Sequence, residues 1–94
     1  MRAPFLTPPT ESDIVELAAH IRPDDAFEVR HLTGQEPLAH IRHAVSRSDI
    51  AYSVRQREGS PLWCILGAAK ANPDISPDFA TLWELSTSAV ESAP

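Results

Sequence analysis

The hydrophobic pattern of this 94-residue chain changes its period near residue 50, and this change restricts the possible fold. Before that point apolar residues recur at helical spacing, for example at i, i+3, i+4 and i+7 from Ile14. From Ile50 onward, apolar and polar residues alternate, which is typical of a β-strand. A chain this short makes one domain, so the two halves must pack on each other. We therefore predict a single α+β domain over residues 1–94, with helices packed on a small antiparallel sheet.

Three helices are predicted from capping residues and from prolines at first-turn positions. Thr10 is a typical N-cap for an amphipathic helix over residues 11–21. Pro23 opens a second helix, and Gly34 fits the left-handed position that ends it. Pro37 opens the third helix. All three helices precede the region of alternating pattern.

Four strands are predicted around this helical region. A short edge strand, which includes Phe5, precedes the first helix, and two prolines end it. The alternating run from Ile50 and the apolar run from Leu62 flank a turn segment, which indicates a β-hairpin. The second hairpin strand is apolar on both faces, so we expect it to be central in the sheet. A further strand is predicted over residues 80–86.

Three segments are expected to interrupt or follow these strands. Gly67 lies inside the central strand, which suggests a bulge or a close approach of backbone. Residues 70–79 contain two Pro-Asp turn signatures, so we expect an ordered or clamped loop. Residues 88–94 are small and polar, and we expect a frayed tail there.

Composition opposes several classes of partner. The net charge is −5, the pI is near 5.2, and the arginines are scattered among acids, so we expect no nucleic-acid partner. No apolar stretch approaches the roughly 20 residues of a membrane span, and the N-terminal residues do not resemble a signal peptide. We therefore expect a soluble, unprocessed protein. Cys64 is the single cysteine, so we expect no internal disulfide and an unreactive thiol inside a strand.

The residues that most often carry chemistry form no recognisable site. His40 and His43 are separated by one helical turn and could face a cation together, with Asp49 or Glu36 as a carboxylate neighbour. No H-E-x-x-H pattern or nearby Cys pair supports such a site, so we predict no metal site. Ser86 and Ser88 are the strongest serine candidates for a nucleophile, yet neither stands in a nucleophile elbow. We predict no catalytic residues and no cofactor. The other histidines are His20 and His31.

Aromatic residues concentrate in the strand region. If Trp63 and Trp83 shared one sheet face they could stack a base or a sugar, but the acidic composition lacks the basic groove that such binding needs. Core packing is favoured for both, with a protein interface as the next possibility, because exposed Trp and Tyr are frequent interface residues. The candidate protein-interface residues are Trp63, Trp83, Tyr52 and Phe5.

Five short motifs follow one another along the chain. They are residues 13–18, Arg22 to Val29, Thr33-Gly34, the hairpin from Gly59 to Gly67, and Trp83 to Thr87. In this order they resemble the opening half of the GNAT N-acetyltransferase fold, and more narrowly the GNAT-like proteins encoded in the structural regions of tailed-phage genomes. The resemblance implies a half-GNAT arrangement, in which a short N-terminal strand and three helices pack on the sheet.

The resemblance also implies what this chain does not do. Acetyltransferases of this fold follow the last of these motifs with a glycine-rich turn that holds the coenzyme pyrophosphate, whereas this chain has no glycine after Gly67. We expect the second half of the fold to be missing. The leading hypothesis is a non-enzymatic structural protein, a minor phage virion component that binds other virion proteins or copies of itself. The alternatives are a degenerate or complementing acyltransferase that binds acetyl-CoA and a small module that binds a host protein.

Overall fold

The computed structural model describes residues 3–70 and 80–92, and it confirms the α+β class. One short strand precedes three consecutive helices, and three strands follow them. A short 3₁₀ helix then follows the last strand. The elements are β1 (Phe5–Thr7), α1 (Glu11–His20), α2 (Pro23–Thr33), α3 (Pro37–Arg47), β2 (Ile50–Arg55), β3 (Leu62–Lys70), β4 (Ala80–Ser86) and the 3₁₀ helix (Ser88–Ser92).

The helix boundaries follow the predicted capping chemistry. The Asp13 N–H donates to Thr10 Oγ1 over 3.1 Å and the Thr10 N–H donates to Asp13 Oδ2 over 3.0 Å, which makes a reciprocal capping box. Gly34 ends α2 at a φ of 71°, where its N–H donates to the Arg30 carbonyl oxygen. This left-handed conformation is one that glycine adopts at little cost.

The four strands form one antiparallel sheet in the order β1-β2-β3-β4. Each strand pairs with the strand that precedes it in this order, so β1 and β4 are the two edges among the described residues. The predicted central position of the second hairpin strand is confirmed, since β3 pairs with both β2 and β4.

The expected irregularity in β3 lies at Trp63 and not at Gly67. Arg55 pairs with Leu62 and Val54 pairs with Cys64, so Trp63 is an extra residue without a partner on β2. The bulge reverses the alternation, and it turns the fully buried Leu62 to the helix side while Cys64 faces the other way. The expectation of a bulge at Gly67 was wrong, and β3 runs through this glycine to Lys70.

Gly67 instead provides space for an aromatic ring. It pairs with Trp83 across β3 and β4, and a Cβ atom built at residue 67 would lie 2.6–2.8 Å from three atoms of the indole. The Trp83 Nε1 donates a hydrogen bond to Ser48 Oγ over 2.7 Å, at the C-terminal end of α3. The close approach expected at Gly67 is therefore made by a side chain.

The core lies between the helices and one face of the sheet. Its buried centre comprises two residues of α1, one of α3 and two of β3, and Trp83 and Leu85 of β4 pack against it. These five residues are Ile14, Leu17, Ile41, Leu62 and Ile65.

Two further expectations concern the loop and the chain end. Residues 88–92, expected to belong to a frayed tail, form the 3₁₀ helix. The Thr87 hydroxyl donates to the Leu62 carbonyl oxygen over 2.5 Å and ties the start of this segment to β3. The turn signatures of the predicted loop fall in residues 71–79 and lie outside the described residues.

Candidate functional site

The sheet has a second face, on which none of the core helices packs. The pleat alternates side chains between the two faces, so the neighbours of the helix-facing residues Ile65, Gly67 and Trp83 point the opposite way. We call this side the open face. Among residues whose side chains the structure describes, its members are Leu6, Ile50, Tyr52, Val54, Cys64, Leu66, Ala68, Leu82, Glu84 and Ser86.

Large apolar side chains of the open face reach solvent. Leu82 is 79% exposed, Ile50 is 50% exposed and Leu6 is 48% exposed. Leu66, on the central strand, is 37% exposed, so exposure is not confined to the edges. A contiguous apolar surface on one side of a small domain is the usual mark of a contact with another molecule.

In a sheet packed on helices, the strand residues that face the helices are usually apolar, and β2 has the opposite arrangement. Its apolar residues Ile50, Tyr52 and Val54 lie on the open face, whereas Ser53 and Arg55 point toward the helices. The polar side is stable against α1 because α1 provides two acids as partners. Burial without such partners would cost several kcal/mol, of the order of 2–7 per polar group.

Asp13 and Arg55 are the centre of this polar cluster. Arg55 donates to Asp13 Oδ1 over 2.8 Å and to Glu16 Oε1 over 2.9 Å, and Ser53 Oγ donates to Asp13 Oδ2 over 2.8 Å. The Leu62 N–H donates to the second oxygen of Glu16 over 2.7 Å. Burial by itself would raise the pKa of Asp13, but the hydrogen bonds from Thr10, Arg55 and Ser53 and the charge of Arg55 outweigh it and hold the pKa below its ordinary value.

A groove of about 760 Å³ lies beside this cluster, between the C-terminal end of α1, the hairpin turn and the start of the 3₁₀ helix. Glu16, His20, Arg55 and Ser60 are among its lining residues. The charges of Arg55 and Glu16 are already engaged with each other, and Arg55 Nε also donates to the Ser60 carbonyl oxygen. The groups at this groove thus tie α1 to the hairpin.

The outer edge of β4, an edge of the sheet among the described residues, adjoins the open face. At its C-terminal end the edge is closed, since the Arg22 N–H donates to the Ser86 carbonyl oxygen and the Ser86 N–H donates to Asp25 Oδ2. Thr87 is bridged to Ile21. Because backbone groups of a strand alternate in direction, the N–H and C=O groups of Leu82 and Glu84 point outward in the same way as those of Ser86.

The four aromatic candidates occupy different surroundings. Trp83 lies on the helix side and is half-buried against the core. Phe5 pairs with Arg55, so it faces the same side, and it is also half-buried. Tyr52 is half-buried on the open face, and Trp63 is the half-buried bulge residue. The aliphatic members of the open face were missed by sequence reasoning, which concentrated on aromatic residues.

Cys64 lies on the open face between β2 and β4. Burial, together with the nearby charge of Glu84, raises the pKa of the Cys64 thiol to about 11. A thiol with this pKa is almost entirely protonated at neutral pH and is a poor nucleophile. The position therefore favours a packing role.

The remaining candidates for chemistry stand apart from one another. Within residues 3–70 and 80–92, no group of three His, Cys, Asp or Glu side chains has the geometry to hold a metal ion. The Ser86 hydroxyl donates to Glu84 Oε1 over 2.5 Å, and Ser88 is exposed at the start of the 3₁₀ helix. In the described part of the chain, no helix is both long and apolar enough to cross a membrane.

Comparison of the chain with protein-family models, with curated proteins and with solved structures finds no match in any of the three.

Proposed function

We propose that this chain is a non-enzymatic interaction protein that binds another protein through the open face of its sheet. The observation that carries the proposal is the polarity of β2, whose apolar side chains lie on the open face, with Ile50 exposed there, while its polar side chains face the helices. Ile50 and Leu82 are exposed to water, and burial of their side chains against a protein partner would be favourable.

The surroundings of the open face support a protein partner over a small molecule. The face is a strand surface with apolar side chains spread over all four strands, whereas small-molecule sites are concave and enclose their ligand. The groove beside Arg55 is not proposed as a ligand site, because Arg55 there is hydrogen-bonded to Asp13 and Glu16 and so links the hairpin to α1.

The resemblance to GNAT-like phage proteins supplies the kind of partner, namely other subunits of a virion. In this proposal the chain is a minor virion component, present in the particle in fixed copy number. Mass spectrometry of purified particles tests this location. A host protein as the partner would instead leave the chain absent from particles and present in a complex in the host cytoplasm.

A matched pair of variants tests the role of the open face. Leu82 on this face is 79% exposed, and Leu32 on α2 is 77% exposed, so replacement of either by Asp costs little stability. We expect the tagged full chain and its Leu32→Asp variant to co-purify with the same assembly from the native source, and the Leu82→Asp variant to lose it. Retention of the assembly by both variants would contradict the proposed surface.

A further inference from the structure

Glu84 is the one charged side chain on the open face, among those that the structure describes. It is exposed on β4, across from Leu66 and two residues after Leu82. Its carboxylate accepts a hydrogen bond from Ser86 Oγ, while Arg30, Arg42 and Arg55 form their ion pairs with other acids. The charge of Glu84 nevertheless acts on the face, since it contributes to the raised pKa of Cys64.

An occupant of the open face would remove water from this carboxylate. Loss of hydration from a carboxylate is unfavourable unless a cation replaces the water. A purely apolar occupant would therefore bind less well than one with a positive group over Glu84. A second copy of this chain would bring a second Glu84 to the contact, and each copy already carries a net charge of −5. Charge thus favours a different, basic partner over self-association.

The size of the open face suits a helix. The exposed apolar side chains Ile50, Leu66 and Leu82 lie on β2, β3 and β4, and three strands about 4.8 Å apart span about 10 Å. An α-helix is also about 10 Å across, so one helix could contact all three strands. The opposite face of the sheet is already covered by α1 and α3, and a helix layer on each face is one of the stable ways to bury a sheet.

Resting on the proposed function, we propose that the open face receives an amphipathic helix of a partner protein, with a Lys or Arg at the border of its apolar stripe paired to Glu84. The apolar stripe covers the leucine and isoleucine side chains of the face, and the ion pair at the β4 rim fixes the register and direction of the helix. Rim charges of this kind contribute more to specificity than to affinity.

Charge-swapped peptides test this pairing. The probes are two synthetic helical peptides of about 18 residues with the same leucine stripe, which differ only in a Lys or a Glu at the border of the stripe. Each is titrated into the isotope-labelled full chain, and backbone amide shifts are followed by NMR. We expect shifts on β2, β3 and β4, with the Lys peptide bound about tenfold more tightly than the Glu peptide.

Variants of Glu84 distinguish an ion pair from nonspecific peptide binding. We expect Glu84→Gln to bind both peptides equally and Glu84→Lys to prefer the Glu peptide. Equal affinities in the wild type, or a preference that survives in Glu84→Lys, would overturn the pairing. Absence of sheet shifts with either peptide at millimolar concentration would overturn the helical occupant. The Leu82→Asp assembly test would still decide the proposed function independently.

Discussion

At the scale of single residues, Gly67 leaves the space that the indole ring of Trp83 occupies. The indole lies across the glycine on the helix side of the sheet, and its nitrogen reaches Ser48 at the end of α3. The contact links β3, β4 and α3. A glycine inside a strand normally weakens the strand, and a ring packed over it offsets that loss.

We expect Gly67→Ala to destabilise the fold by about 1–3 kcal/mol, because the added methyl group overlaps the indole. The measurement is the free energy of unfolding by chemical denaturation. In a Trp83→Leu background the same substitution should cost clearly less, since the ring is gone. An equal cost in both backgrounds would show that the ring contact is not the cause.

Asp13 gives a pH-dependent prediction. Its pKa in the folded protein is lowered from the ordinary 3.8, so its contribution to stability is complete above that value and is lost as the pH falls through the folded-state pKa. We expect Asp13→Asn to lower the free energy of unfolding by about 1–2 kcal/mol at pH 7. The difference from the wild type should shrink below about pH 4.

The control for Asp13 is Glu11→Gln. Glu11 also pairs with an arginine, Arg42, but both side chains are more than half exposed. Surface pairs contribute about 0–1 kcal/mol, so this variant should remain close to the wild type at each pH. If Asp13→Asn differs from the wild type by the same amount at pH 3 and pH 7, the buried cluster does not depend on the charge of Asp13.

At the scale of elements, local chemistry explains why so much of the secondary structure is predictable. The helix starts at Thr10, Pro23 and Pro37, the glycine cap at Gly34 and the hairpin are confirmed, because each depends on residues that are adjacent in the sequence. The bulge at Trp63 could not be predicted, because it depends on how Arg55 and Leu62 both reach α1.

The sequence pattern also could not predict which face of β2 points toward the helices. Alternation identifies two faces but does not say which face meets the helices. The decision comes from α1, whose Asp13 and Glu16 bind the polar side of β2, so its apolar side turns to the open face. The open face, and with it Leu82 and Glu84, follows from contacts between residues about 40 positions apart.

The capping box of α1 gives a prediction at this scale. We expect Thr10→Ala to lower the free energy of unfolding by about 1 kcal/mol, because the Asp13 N–H loses its acceptor at the first turn. Ser12→Ala is the matched control, an exposed residue of the same turn, and should change stability by less than about 0.5 kcal/mol. Similar losses in both variants would refute the cap as the source of the effect.

At the scale of the whole molecule, one side of the sheet is covered by helices and the other carries exposed apolar side chains. The α+β class followed from the change in hydrophobic period near residue 50. The proposed function does not follow from that class, because one architecture serves many functions. It follows from which side of the sheet is apolar and uncovered.

A test of acetyl-CoA binding distinguishes the proposed interaction protein from an acyltransferase. The two glycines with positive φ, among the described residues, are Gly34 at a helix end and Gly59 in the hairpin turn. Neither lies after β4, and residues 83–92 contain no glycine that could bring backbone amides around a pyrophosphate. We expect calorimetric titration of the full chain with acetyl-CoA to give no binding heat. Micromolar affinity would reject the non-enzymatic interpretation.

Site-specific photo-crosslinking in the native source tests the central claim most directly. A photoreactive phenylalanine analogue replaces Leu82 on the open face in one variant and the equally exposed Leu32 on α2 in the other. We expect the probe at residue 82 to crosslink to one defined protein partner and the probe at residue 32 not to crosslink to it. The same crosslinks from both positions, or a crosslink from residue 32 alone, would contradict a binding role of the open face.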